Sequence, residues 1–166
     1  MTRFGPNLAD LLDRYVGLER EIQSLISPLV RRYCEVCAGT CCRIDICKES
    51  IESEFLALLV AKQGIRYDDR NGWLGPDGCR LEYGRPPVCY EFFCDDITAN
   101  KSFQALQIQK ITREFVSIGN KVYGHTHLLC ITDLDILSPK KIDRLCYKIS
   151  SAMNKIAQTT LLTGTL

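Results

Sequence analysis

Ten of the 166 residues are cysteine, and eight of those ten lie between Cys34 and Cys94. A chain so rich in thiols has two ways to use them. They pair into a disulfide framework, which needs an oxidising compartment, or they gather around metal. The opening residues, Met1 to Asn7, run directly into Asp10, Asp13 and Arg14, with no apolar stretch of signal-peptide length. No segment reaches the eighteen or more consecutive apolar residues of a membrane span. These features predict a cytoplasmic protein whose thiols stay reduced, and there clustered cysteines hold metal.

The rest of the chain is sufficient to fold without disulfides. A domain of this length buries roughly 70% of the surface its unfolded chain exposes. With 46% hydrophobic and 25% charged residues, the composition is that of an ordinary globular domain. Residues 1–166 therefore read as a single domain. A formal net charge of +1 supplies no global field toward nucleic acid, membrane or an acidic substrate. The pairs Arg31-Arg32 and Lys140-Lys141 read as solvated helix faces.

Three heptad stripes predict the scaffold. From 7 to 33, Leu8, Leu11, Tyr15, Leu18, Ile22, Leu25 and Leu29 recur at alternating spacings of three and four. Pro6 suits a first helical turn, and Pro28 predicts a kink or an early stop. From 100 to 122, Ile108, Ile111, Phe115, Ile118 and Val122 keep the same register. Ser138-Pro139 opens a third helix to about 162, apolar at Ile142, Leu145, Ile149, Met153 and Ile156. A shorter helix is expected from Ser50, as N-cap, to Gln63, with Phe55, Leu58, Leu59 and Ile51 inward and Gly64 ending it. The segment 65–97 is dense in glycine and proline and predicts turns and a small hairpin. Between Tyr123 and Leu137 a connector carries a short apolar run, Leu128 to Ile131. The expected fold is mainly α: a bundle of three long helices and one short one. A cysteine-rich lobe at 34–97 is inserted between helices 7–33 and 100–162. The long stripes also offer a seam for a homodimer or an unknown protein partner.

The chemistry is concentrated in Cys34-Glu-Val-Cys37-Ala-Gly-Thr-Cys41-Cys42, followed by Cys47. Two cysteines separated by two residues turn both sulfurs toward one ion, on a turn whose N–H groups stabilise thiolates. Gly39 lets the chain double back, so that Cys41 or Cys42 reaches the same ion. Adjacent side chains diverge, so the Cys41-Cys42 pair points to two neighbouring metals, or to one ligand beside a packing partner. A second group follows in Gly78-Cys79-Arg-Leu-Glu-Tyr83-Gly-Arg85-Pro86-Pro87-Val-Cys89 and ends at Cys94. Together these are the candidate metal ligands: Cys34, Cys37, Cys41, Cys42, Cys47, Cys79, Cys89 and Cys94. Cys34, Cys37, one or both of Cys41 and Cys42, Cys79 and Cys89 are expected to face a common region.

From Cys34 to Cys94 the chain resembles the zinc- or iron-chelating CxxCxxCC proteins. The resemblance rests on the CxxC, the double cysteine and the Gly-Cys-x-Leu-x-Tyr-x-Arg-Pro-x-x-Cys run ending at Cys89. It implies a cysteine-ligated metal in a bacterial cytosolic protein. A family of flagellin lysine methylases carries a similar motif. Two departures are plain: three residues separate Cys37 from Cys41, and Asn71-Gly72-Trp73 stands where the family carries a further cysteine. Zinc, as one or two ions in a structural site, suits the thiol-rich donor set. An iron–sulfur cluster, in a redox protein or a methylase-like enzyme, is the alternative.

Other residues read more plainly. Cys130 and Cys146 lie in apolar periodic contexts and act as small hydrophobes. His125 and His127 suit a hydrogen-bonded pair better than a metal site. Arg85 either clamps a carboxylate or phosphate, or ties the cysteine loop to a backbone carbonyl. Trp73 and Phe92-Phe93 read as the hydrophobic plug of the lobe. No P-loop, dinucleotide-binding glycine fingerprint or HExxH occurs, so the residues themselves give no support to a methylase of the dinucleotide-like type.

Overall fold

A computed structural model describes residues 6–34, 43–76, 78–91, 97, 99, 106, 109–110, 112–113, 115–116 and 138–163, with backbone alone at 6–7, 29–34, 91, 156 and 159–163. The described part is mainly helical. Helix α1 spans Pro6–Cys34, α2 Ile44–Glu52, α3 Glu54–Ala61, α4 Val88–Glu91 and α5 Pro139–Thr163. Strands β1 (Leu74–Gly75) and β2 (Gly78–Cys79) form the expected hairpin, antiparallel with Leu74 opposite Cys79. Among the described residues no helix is long and apolar enough to cross a membrane.

Two of the heptad stripes become long helices as expected. In α1, Leu8, Leu11, Leu12, Tyr15, Leu18 and Ile22 are buried, while α5 buries Ile142, Leu145, Ile149 and Ala152. Each large aliphatic side chain so buried contributes about 1.5–3 kcal/mol. Pro6 opens α1 as a first-turn proline. Pro28 does not stop the helix, which continues to Cys34. The main-chain N–H of Lys141 and of Ile142 both donate to the Ser138 carbonyl, which starts α5.

Helices α1 and α5 pack along each other in the same direction. The Cys146 thiol meets Asp10, Arg14 meets Ser150, and Gly17 faces Met153. Every step along α1 is thus matched by an equal step along α5. Most of 100–122 lies outside the described residues, as do 123–137 and the run Leu128 to Ile131. Those described between 106 and 116 are helical, and Phe115 is buried as its stripe requires. Tyr15 anchors the core, its ring 5.2 Å from Phe55 edge-on and 5.4 Å from Phe115.

The short helix differs from expectation. A single helix from Ser50 to Gln63 is replaced by α2 and α3, broken at Ser53. Ser53 takes extended backbone angles (φ −80°, ψ 116°), and its hydroxyl accepts from the Leu56 N–H. It is Ser53, not Ser50, that caps a helix. Ile51 is 43% exposed on α2 rather than inward. The segment before Ser50 is also more regular than its cysteine content suggests, since α2 takes it in from Ile44.

Helix α3 separates two cores. Phe55, Leu56 and Leu59 join the main core with α1 and α5, whereas Val60 joins Cys47, Trp73 and Leu81 in a smaller one.

Gly17 sits in the middle of α1, where a Cβ would lie 3.7 Å from the Met153 terminal methyl, an ordinary contact. Gly17→Ala should therefore stabilise the protein by about 0.5–1 kcal/mol, the helix-propensity gain. A urea midpoint that falls on this substitution would contradict the packing of α1 on α5.

Candidate metal centre

The smaller core holds two of the candidate ligands. Cys47, on α2, is buried, and half-buried Cys79 packs against the same cluster from β2. The Trp73 indole, 2% exposed, closes that cluster as the expected plug. Its N–H donates to the Ser50 hydroxyl at 2.6 Å and to the Cys47 carbonyl at 3.2 Å. Ser50 in turn donates to the Cys47 carbonyl. Tyr67 stacks edge-on against Trp73 with ring centres 5.1 Å apart. Gly72 has φ +60°, and a Cβ there would stand 2.9 Å from the Cys47 Cβ and 3.0 Å from its sulfur. The Cys47 sulfur is therefore roofed by bare backbone. Phe92-Phe93, the other part of the expected plug, lies outside the described residues.

From Leu81 in the smaller core, an arm of chain crosses to Tyr90 in the main one and delivers Cys89 at the surface. Glu19 holds it. This α1 carboxylate has no solvent exposure. One oxygen accepts from the Gly84 N–H at 2.7 Å; the other accepts from the Arg85 N–H at 2.9 Å and the Tyr90 hydroxyl at 2.5 Å. Gln23, one turn on, donates to the Tyr90 hydroxyl and to the Glu82 carbonyl. Gln63, just past α3, donates to the Tyr83 carbonyl and accepts from the Glu82 N–H. The Arg20 guanidinium lies over the Tyr83 ring at 5.2 Å. Arg85 folds back so that Nε and Nη2 both donate to the Leu81 carbonyl. Of its two readings, the tie to a backbone carbonyl is the one seen.

The electrostatics follow from burial. Removal from water pushes the Glu19 pKa up, and the donors from Tyr90, Gly84 and Arg85 with the Arg85 charge pull partly back. Burial and the Glu19 charge raise the Tyr90 phenol well above its usual range, so it stays a donor. Burial raises the Tyr15 phenol likewise, with lesser contributions from Glu19 and from Cys89.

Of the eight candidate ligands, Cys47, Cys79 and Cys89 are described as thiols. Cys34 is described in its backbone as the last residue of α1, and Cys37, Cys41, Cys42 and Cys94 lie outside the described residues. So do Cys130, His125 and His127. Among the described residues no three histidine, cysteine or acidic side chains form a metal-sized group. The helix itself sets one distance. Cys34 lies 11 residues beyond Gln23 and 15 beyond Glu19, roughly 16–23 Å along an axis rising 1.5 Å per residue. The structure brings Cys47 and Cys79 into one cluster. Exposed Cys89 and half-buried Cys79 are the described thiols whose chemistry and access suit a thiophilic ion. Cys146 packs against the main core, and its thiol, raised by burial and by Asp10, donates to that carboxylate at 3.7 Å. Its packing against the core fits its reading as a small hydrophobe, while its half-burial and its bond to Asp10 go beyond that reading.

Sequence reasoning missed Glu19, Gln23 and Gln63. A signal existed for Glu19, which follows Tyr15 by four positions and Leu12 by seven, inside the buried stripe. In comparisons with protein-family models, curated proteins and solved structures, nothing matches this chain.

Gly72→Ala should destabilise the protein by about 2 kcal/mol or more, because it adds left-handed strain to a clash with Cys47. Wild-type stability in urea would contradict the seating of Cys47. Glu19 supplies a pH test. Its raised pKa means that, above the ordinary carboxylate range, the native state keeps a proton that the unfolded chain has released. Stability should fall as pH rises from about 4.5 through the raised value. Glu19→Gln should flatten that decline, and equal slopes for both proteins would exclude a costly buried charge.

Proposed function

We propose that this chain is a cysteine-ligated metal-binding protein, with zinc as the favoured ion, in one or two copies, in a structural role. The observation that carries this reading is the braced arm from Cys79 to Cys89, which ends in an exposed thiol beside the core. It belongs to the same run of sequence as the Cys34-to-Cys42 block, whose pattern resembles the zinc- or iron-chelating CxxCxxCC proteins. Four thiolates around one zinc, each about 2.3 Å from it, stand within about 4 Å of one another. The eight thiols between Cys34 and Cys94 are enough for two such sites. The ions would fasten the Cys37-to-Cys42 stretch to an arm that α1 and α3 already hold. Zinc bound there would supply a Lewis-acidic centre for thiolates, and Cys89 would supply one sulfur.

Elemental analysis of protein made in air should find one or two zinc ions in a colourless sample. Cys37→Ser and Cys89→Ser should each lose metal, whereas Cys146→Ser should leave the content unchanged. If Cys146→Ser strips metal while Cys37→Ser does not, the ligand assignment is wrong. Purification under nitrogen distinguishes the iron–sulfur alternative: a brown protein with matching iron and sulfide would replace zinc by a cluster.

A further inference from the structure

We infer that Glu19 is a positioning residue for Cys89, presetting from inside α1 where that thiol stands before any ion arrives. The inference rests on the reading of Cys89 as a ligand and deepens it. A single carboxylate oxygen of Glu19 takes the Arg85 N–H and the Tyr90 hydroxyl, which bracket Cys89 on both sides in the chain. Between the two anchors little can move. Pro86 and Pro87 are buried and have fixed φ. The Cys89 and Tyr90 N–H groups bond to the Pro86 and Pro87 carbonyls, which sets the first turn of α4.

On the other side of Arg85 the arm is seated as tightly. Gly84 has φ +75°, and a Cβ there would stand 3.1 Å from the Leu59 Cβ and 3.3 Å from Val60. No other residue brings the backbone so close to α3 while turning its N–H into Glu19. The Tyr90 hydroxyl accepts from Gln23 as it donates to Glu19, so its orientation is fixed as well. Every bond in this chain of support is made by the protein alone. The ordering that a metal site ordinarily charges to binding is already done. Groups behind a ligand in this way commonly account for about 10–100-fold in metal affinity.

The test uses cobalt(II) alone with the full chain, reading the thiolate charge-transfer band, and amide hydrogen exchange on the metal-free protein. Glu19→Ala should speed exchange at Gly84 and Arg85 and weaken cobalt binding about 10–100-fold. Glu19→Gln keeps an oxygen for Arg85 and Tyr90 and should restore affinity to within a few-fold. Tyr90→Phe keeps the ring against Phe115 and should weaken binding several-fold, which preserves the test if Glu19→Ala fails to fold. Wild-type cobalt affinity in both Glu19→Ala and Tyr90→Phe, with exchange at Gly84 and Arg85 accelerated, would overturn the positioning role. A wild-type protein without any thiolate band would overturn the metal reading itself, and the role with it, while the exchange rates still reported the brace.

Discussion

A carboxylate with no exposure to water has to find its hydrogen bonds inside the protein, because each ion taken out of water costs several kcal/mol before compensation. Glu19 meets that demand with two consecutive backbone N–H groups and one phenol. Backbone donors at Gly84 and Arg85 can point at the same side chain only if the chain turns sharply against α1. The turn is possible because residue 84 lacks a Cβ. From this one requirement follow the seat of the arm on α3, the burial of Pro86 and Pro87, and the delivery of Tyr90 into the aromatic cluster with Phe115. The brace and the core are one arrangement.

The segment from 65 to 90 does not depend on that brace alone. Cys47, Val60, Trp73 and Leu81 form a small dry cluster, and the Trp73 N–H is satisfied twice over, by Ser50 and by the Cys47 carbonyl. A classical zinc finger is unfolded without its ion. Here the described residues between 65 and 90 are held by hydrophobic packing and by hydrogen bonds to α1 and to Gln63. On the proposed reading, metal would fasten a second segment to this one rather than fold it.

What the sequence revealed and what it hid have distinct causes. The stripes at Leu8 to Ile22 and at Ile142 to Ile149 were legible because burial on one helix face leaves a periodic trace. The break at Ser53 was not. Ser50 and Ser53 are three apart, both suit an N-cap, and apolar residues continue at helical spacing through the break. Only the tertiary partner decides: Trp73, 23 residues away from Ser50, takes its hydroxyl and leaves Ser53 to cap. Glu19 left a faint trace as a charge within an apolar stripe, but its donors come from 65 and more positions along the chain. The candidate metal ligands are legible as a list and not as a geometry. Which sulfurs converge depends on where the arm docks along α1, and nothing in the spacing of cysteines encodes that.

The same-direction packing of α1 and α5 constrains the remainder of the chain. Partners Asp10 and Cys146, and Arg14 and Ser150, are each 136 positions apart in sequence, so the register holds over at least a full turn. Two helices that run the same way cannot be joined by a tight turn, because the chain must first travel back along the length of the pair. The helical residues between 106 and 116, with Phe115 and Thr112 buried, contribute to the same core from within that return. Docking residues 82–85 on Glu19 and Gln23, midway along α1, shortens the path that the return has to cover.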